Sequence, residues 1–89
     1  TTIEYEAGLL PDYPTFFETI IPSNQTSHHE ETWHVGNGFS HIRASLQGAS
    51  FTIPFANKKL LRGTWQQIIL VDFDNRPRHR KIIVQLNGD

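Results

Sequence analysis

The chain has no cysteine among its 89 residues, so no disulfide can staple it. It also lacks a run of eighteen apolar residues and a secretory hydrophobic segment. No membrane span or signal peptide is therefore read from it, and a soluble cytoplasmic protein is the default expectation. Lys and Arg are missing from residues 1–42, which carry six acids: Glu4, Glu6, Asp12, Glu18, Glu30 and Glu31. All eight basic residues fall in 43–89, beside only Asp72, Asp74 and Asp89. The net charge of −1 thus hides halves of −6 and +5. Such a split suits electrostatic matching between halves or subunits, or an anion site on the basic half. A pI near 6.5 falls short of the strongly basic domains that bind nucleic acid. Asn24-Gln25-Thr26 fits the glycosylation sequon, but without a secretory signal it reads as a chance match.

What is present suits one domain over residues 1–89. Hydrophobic residues make up 37% and charged residues 19%, as in ordinary globular chains. Area scaling gives a folded surface near ~5,300 Å², with roughly 64% of the unfolded surface buried. That is one modest core, to which a partner subunit would add.

In "LLPDYPTFFETII" (9–21) the apolar side chains recur at helical spacing on one face. Pro11 and Pro14 suit a first turn, so helix is expected from about Asp12, with Pro22 ending it and Phe16 and Phe17 in the core. Residues 22–40 read as a long polar loop. "SFTIPF" (50–55) alternates as a half-buried strand with Pro54 at an edge or end. "ANKK" reads as a turn. "GTWQQIILVDF" (63–73), with Trp65 in the core, and "KIIVQL" (81–86) read as strands pairing antiparallel across the turn "DNRPRHR". The opening "TTIEYE" resembles the end of a strand entering a loop.

Four of the five histidines fall in "SHHEETWHVGNGFSH" (27–41). Imidazole is a ligand for zinc and similar metals and an acid–base group near neutral pH. His29, His34 and His41 are separated by four and six residues, Gly36-Asn37-Gly38 could fold the ends together, and Glu30 and Glu31 supply carboxylates. The spacing matches no helical zinc signature, so solvated loop histidines remain the alternative. Trp33 either anchors this loop or lines a pocket. Arg43 is either a surface arginine or a bidentate anion clamp. His79, among Arg76, Arg78 and Arg80, reads as surface.

"HHEETWHVGNGFSHIRASLQGASFTIPF" followed by "GTWQQIILVDFDNRPRHRKIIVQLNGD" resembles the YjbQ-like family of small proteins, and the likeness covers essentially the whole chain. The resemblance implies an α+β fold, with a sandwich-like antiparallel sheet and one amphipathic helix. It further implies homo-oligomers, trimers above all, with sites near subunit contacts, and a secondary thiamine-phosphate synthase activity. A divalent metal, zinc foremost, or an anion would sit among histidines. His29 and His41 match histidines across the family's branches, and His34 matches one branch. Glu4 matches the acid that precedes the family's helix. On this reading His29, His41 and His34 would hold the metal. His41, Arg43 and Glu4 would be catalytic, Arg43 by holding a phosphate of a small phosphorylated ligand. No nucleic acid or membrane partner is expected. Family members carry a further N-terminal segment with strands and a "His-Thr-Ser" motif, so the chain is expected to be the C-terminal part of such a domain, lacking a third histidine. Val35 and Phe39 stand where that branch has Asp and often His, which would weaken a metal site. The rival expectation is a non-catalytic oligomeric binding or structural protein whose exposed strands neighbouring subunits cover.

Overall fold

The first helix, α1 (Leu9–Ile20), starts earlier in the computed structural model than its prolines suggest. The structure describes residues 1–24, 28–33 and 36–89, without the side chains of Glu30, Thr32 and Trp33. Glu6 accounts for the early start. Its carboxylate accepts the Gly8 N–H at 2.7 Å and also the Leu9 N–H, two donors at the helix entry that would otherwise lack intrahelical partners. Pro11 then sits in the first turn, where no N–H is needed, and Pro14 is carried inside. The Ile21 N–H closes the last turn on the Phe17 carbonyl at 2.8 Å.

One apolar side chain of α1 is buried. Phe17 meets Tyr13 edge-on at 5.1 Å and Phe73 at 4.8 Å. Burial raises the Tyr13 hydroxyl above its usual pKa, and that hydroxyl donates to the Gln47 side chain. Phe16 was expected in the core but is 67% exposed, because successive helical residues point about 100° apart.

Two further helices follow α1: α2 (His28–Trp33) lies inside the stretch 22–40 expected as a loop, and α3 (Gly38–Gln47) begins at its end and runs beyond it. Asn37 occupies the N-cap of α3, and its carbonyl accepts from the Ser40 amide at 2.9 Å and the Ser40 hydroxyl at 2.7 Å. Gly48, at φ 90°, ends the helix in backbone that other residues rarely adopt. The face α3 buries is polar, with Gly38, Ser40 and Arg43 on it, while Ile42 and Leu46 point outward.

The strands form two antiparallel pairs. β1 (Thr2–Glu4) pairs with β4 (Gln66–Ile68), placing Ile3 opposite Gln67. β2 (Phe55–Ala56) and β3 (Lys59–Leu60) form a hairpin around Asn57 and Lys58. Both turn residues have positive φ, 52° and 64°, as a type I′ turn requires. The protein is therefore α+β, built from helices and small antiparallel sheets.

Several expected strands are shorter or missing among the described residues. Strand 50–55 reduces to a start after Pro54, and strand 63–73 reduces to β4. The segment 81–86 forms none, and Trp65 is 71% exposed rather than core. The arms around the loop still meet, because Arg80 grips Asp72 through two hydrogen bonds of 2.9 and 3.2 Å. A two-stranded ribbon with nothing beneath it is marginal in water, and among the described residues Ile82, Ile83, Val84 and Leu86 are left exposed.

The molecule is extended, 51 × 30 × 20 Å, with a radius of gyration of 16.1 Å. A compact chain of this length would have about 12 Å. Its accessible surface is 7,682 Å². No helix among the described residues is long and apolar enough to cross a membrane.

Candidate functional site

Helices α2 and α3 lie side by side, and this packing brings two histidines together. The rings of His29 and His41 are 4.4 Å apart, tilted by 58°. Eleven residues lie between them in sequence, so the contact comes from helix pairing and not from local spacing. His29 Nε2 is buried without a hydrogen-bond partner among the described residues, whereas His41 is exposed. A buried ring nitrogen left unsatisfied is costly and therefore a point where a ligand atom would be favoured. His28 stays on the surface of α2, 3.1 Å from the Glu31 carboxylate.

His34 and Val35 lie outside the described residues, as do the side chains of Glu30 and Trp33. Glu4 sits on β1 opposite Gln66. Among the described residues no three of His, Cys, Asp and Glu are grouped to hold a metal ion. Catalytic zinc takes three protein ligands, so His29 and His41 would be two of a larger set, and the described residues alone do not complete it.

Arg43 is committed to the fold. Its guanidinium donates to the Ile21 carbonyl from Nε at 3.0 Å and from one terminal nitrogen at 2.7 Å. That same nitrogen reaches the Glu18 carboxylate at 2.8 Å, and the group lies 5.0 Å over the Phe39 ring. Arg43 thus ties α3 to the C-terminal end of α1, two residues along from His41. The Ser23 amide, with Arg43 and the Ser23 hydroxyl, holds the Glu18 carboxyl below its usual range.

A second polar cluster lies at the N-terminus of α3. The Asn37 amide donates to Asp74 at 3.3 Å, and Arg78 and Arg80 reach the other Asp74 oxygen at 2.6 and 3.3 Å. Burial alone would raise the Asp74 carboxyl. The hydrogen bonds from Arg78, the Asn75 amide and Asn37 outweigh it and bring the group down to about 2. Beside this cluster is a concavity of about 330 Å³ lined by Asn37, Asn75, Arg76 and Arg78. The charge split left an anion site open on the basic half without pointing to these arginines; the sequence signal for the cluster is "GNG" together with "NRPR".

Comparison with known proteins places the chain in a family. The family model described as "UPF0047 protein YjbQ-like" matches residues 1–89. A UPF0047 protein of Archaeoglobus fulgidus is 38% identical over 82 residues, covering 92% of this chain and 63% of that protein. UPF0047 protein MJ1081 of Methanocaldococcus jannaschii is 41% identical over 78 residues, 88% of this chain and 53% of that protein. UPF0047 protein sll1880 of Synechocystis is 32% identical over 84 residues, 94% and 57%. The chain therefore spans little more than half the length of the curated relatives it matches. No solved structure gives a significant match.

Proposed function

Since the chain belongs to the UPF0047 YjbQ-like family, we propose that it carries part of a site for a small phosphorylated ligand, with His29 and His41 as the acid–base pair. The reaction class is transfer of the thiamine-phosphate synthase type, in which pyrophosphate leaves and charge develops on its oxygens. The observation that supports this reading is the contact of the two rings at 4.4 Å, with His29 Nε2 buried and unpartnered. One imidazole can exchange a proton with the reacting group while its neighbour sets its orientation. Arg43 serves as a positioning residue, since it fixes α3 and with it His41. If further ligands joined His29 and His41 to hold a divalent metal, zinc first, the two rings would be ligands in place of proton carriers, and the metal would supply the charge stabilisation at the departing pyrophosphate.

The test compares wild type with His41→Ala for bound zinc by mass spectrometry and for phosphate-ester affinity by calorimetry. Loss of metal, or a fall in affinity of about tenfold, is the expected result. Metal-free protein with the same affinity in both forms would refute it.

A second reading rests on a separate observation. The surface of 7,682 Å² exceeds by over two thousand square ångströms the ~5,300 Å² of a compact chain of this mass. That excess is on the scale of obligate subunit interfaces. Ile42 and Leu46 on α3, and Ile82 to Leu86, supply the apolar face. On this reading the protein is a homo-oligomer, a trimer by family likeness, whose role is binding or assembly.

A further inference from the structure

The basic half of the chain was open to an anion site, and Arg43, nearly buried, already gives its Nε and one terminal nitrogen to Ile21 and Glu18. Three arginines crowd the loop after β4, and they are not equivalent. Arg80 is held by Asp72 and Asp74, and Arg78 by Asp74 through its Nε. Arg76 has no ion pair among the described residues and lines the concavity with Arg78, Asn37 and Asn75. Asp72 and Asp74 are already engaged by Arg78 and Arg80, so the loop from 72 to 80 keeps a positive excess carried by Arg76. The floor is fixed from below, because Asn37 is 5% exposed and tied to Asp74.

Asn37 is also the N-cap of α3, a ten-residue helix whose first turn adds partial positive charge at that end. Planar guanidinium forks supply the donors for a tetrahedral oxyanion, while Asn37, whose amide is given to Asp74, closes the floor. A volume of about 330 Å³ lies at the small end of ligand pockets and suits one phosphate ester, not a nucleic-acid groove.

We infer that Arg76 and Arg78, with Asn37 and Asn75, form a seat for the phosphate of a small anionic ligand. Asn37 caps α3 and His41 follows it by four residues, about 6 Å along the axis. The seat thus lies one turn from the histidine pair and deepens the phosphorylated-ligand reading, yet it binds an anion whether or not the histidines react.

Calorimetric titration with inorganic phosphate and then inorganic pyrophosphate tests it at fixed salt. Arg76→Ala should weaken phosphate binding by about tenfold, close to 1.4 kcal/mol. Arg76→Lys should recover part of the loss, because charge remains without the fork. Arg76→Ala should leave the zinc content of the protein as in wild type while it loses phosphate affinity, which separates this seat from the histidine reading. Lys58→Ala, in the hairpin turn, controls for net charge. Equal affinity in wild type and Arg76→Ala, or an equal loss in Lys58→Ala, would overturn the inference. Single-stranded RNA binding more tightly than pyrophosphate, with loss in Arg76→Ala, would also overturn it in favour of a nucleic-acid surface.

Discussion

Replacing Arg43 by alanine should cost stability and not phosphate affinity. The side chain is 9% exposed, and its guanidinium makes three hydrogen bonds. Two converge on the Ile21 carbonyl, which α1 cannot satisfy itself because the helix has ended. Hydrogen bonds from a charged donor are worth about 1.5–3 kcal/mol each, but two on one oxygen do not add fully. The cation over Phe39 contributes about 0.5–1 kcal/mol more. The Glu18 contact is discounted, since that carboxylate is half exposed and water replaces its partner readily. The expected loss is about 2–4 kcal/mol, a large share of the ~4–13 kcal/mol usual for a chain of this length. In a urea titration followed by tryptophan fluorescence, the midpoint should fall clearly and the melting temperature should drop by on the order of 10–20 °C. Arg43→Lys should keep little of the stability, because an ammonium cannot bridge Ile21 and Glu18 as the fork does. Glu18→Gln should have the mildest effect of the three. An Arg43→Ala protein with an unchanged midpoint and lost phosphate affinity would refute the reasoning and return Arg43 to the role of anion clamp.

Acid should weaken the fold through Glu18, Asp72 and Asp74, all held below their usual range, Asp74 down to about 2. A carboxylate with a depressed folded pKa stabilises fully above its unfolded value near 4 and loses that contribution as pH falls through the folded one. Melting temperatures should therefore stay level from pH 7 to about 5 and fall between about 4 and 2, less steeply in Asp74→Asn; a flat profile down to pH 2 would contradict the pairing. Ile83, 94% exposed, offers the assembly test. Wild type should sediment as an oligomer and Ile83→Lys as a smaller species, whereas a wild-type monomer at every concentration would end the assembly reading.

How far the sequence carried depended on whether each feature is local. α1 was legible because its apolar period, its prolines and Pro22 all act within one segment, and Glu6 alone moved its start. The turn at Asn57-Lys58 was legible for the same reason. α3 was not, although Asn37 and Gly48 bracket it as a cap and a stop, because its buried face carries Arg43 in place of an apolar stripe. The segment 81–86 has the composition of a strand, but pairing is a property of the neighbour it finds, and among the described residues it finds none. The histidine stretch divides along the same line. Spacing could not join His29 to His41, since two helices whose packing is non-local bring their rings together. Resemblance to the family supplied that pair before its geometry was in view. The reverse holds at the other end of α3, where neither spacing nor resemblance singled out Arg76. Its distinction is that Asp72 and Asp74 are already taken by Arg80 and Arg78. A cation without an ion pair among the described residues is defined by what its neighbours hold, and only the folded chain records that.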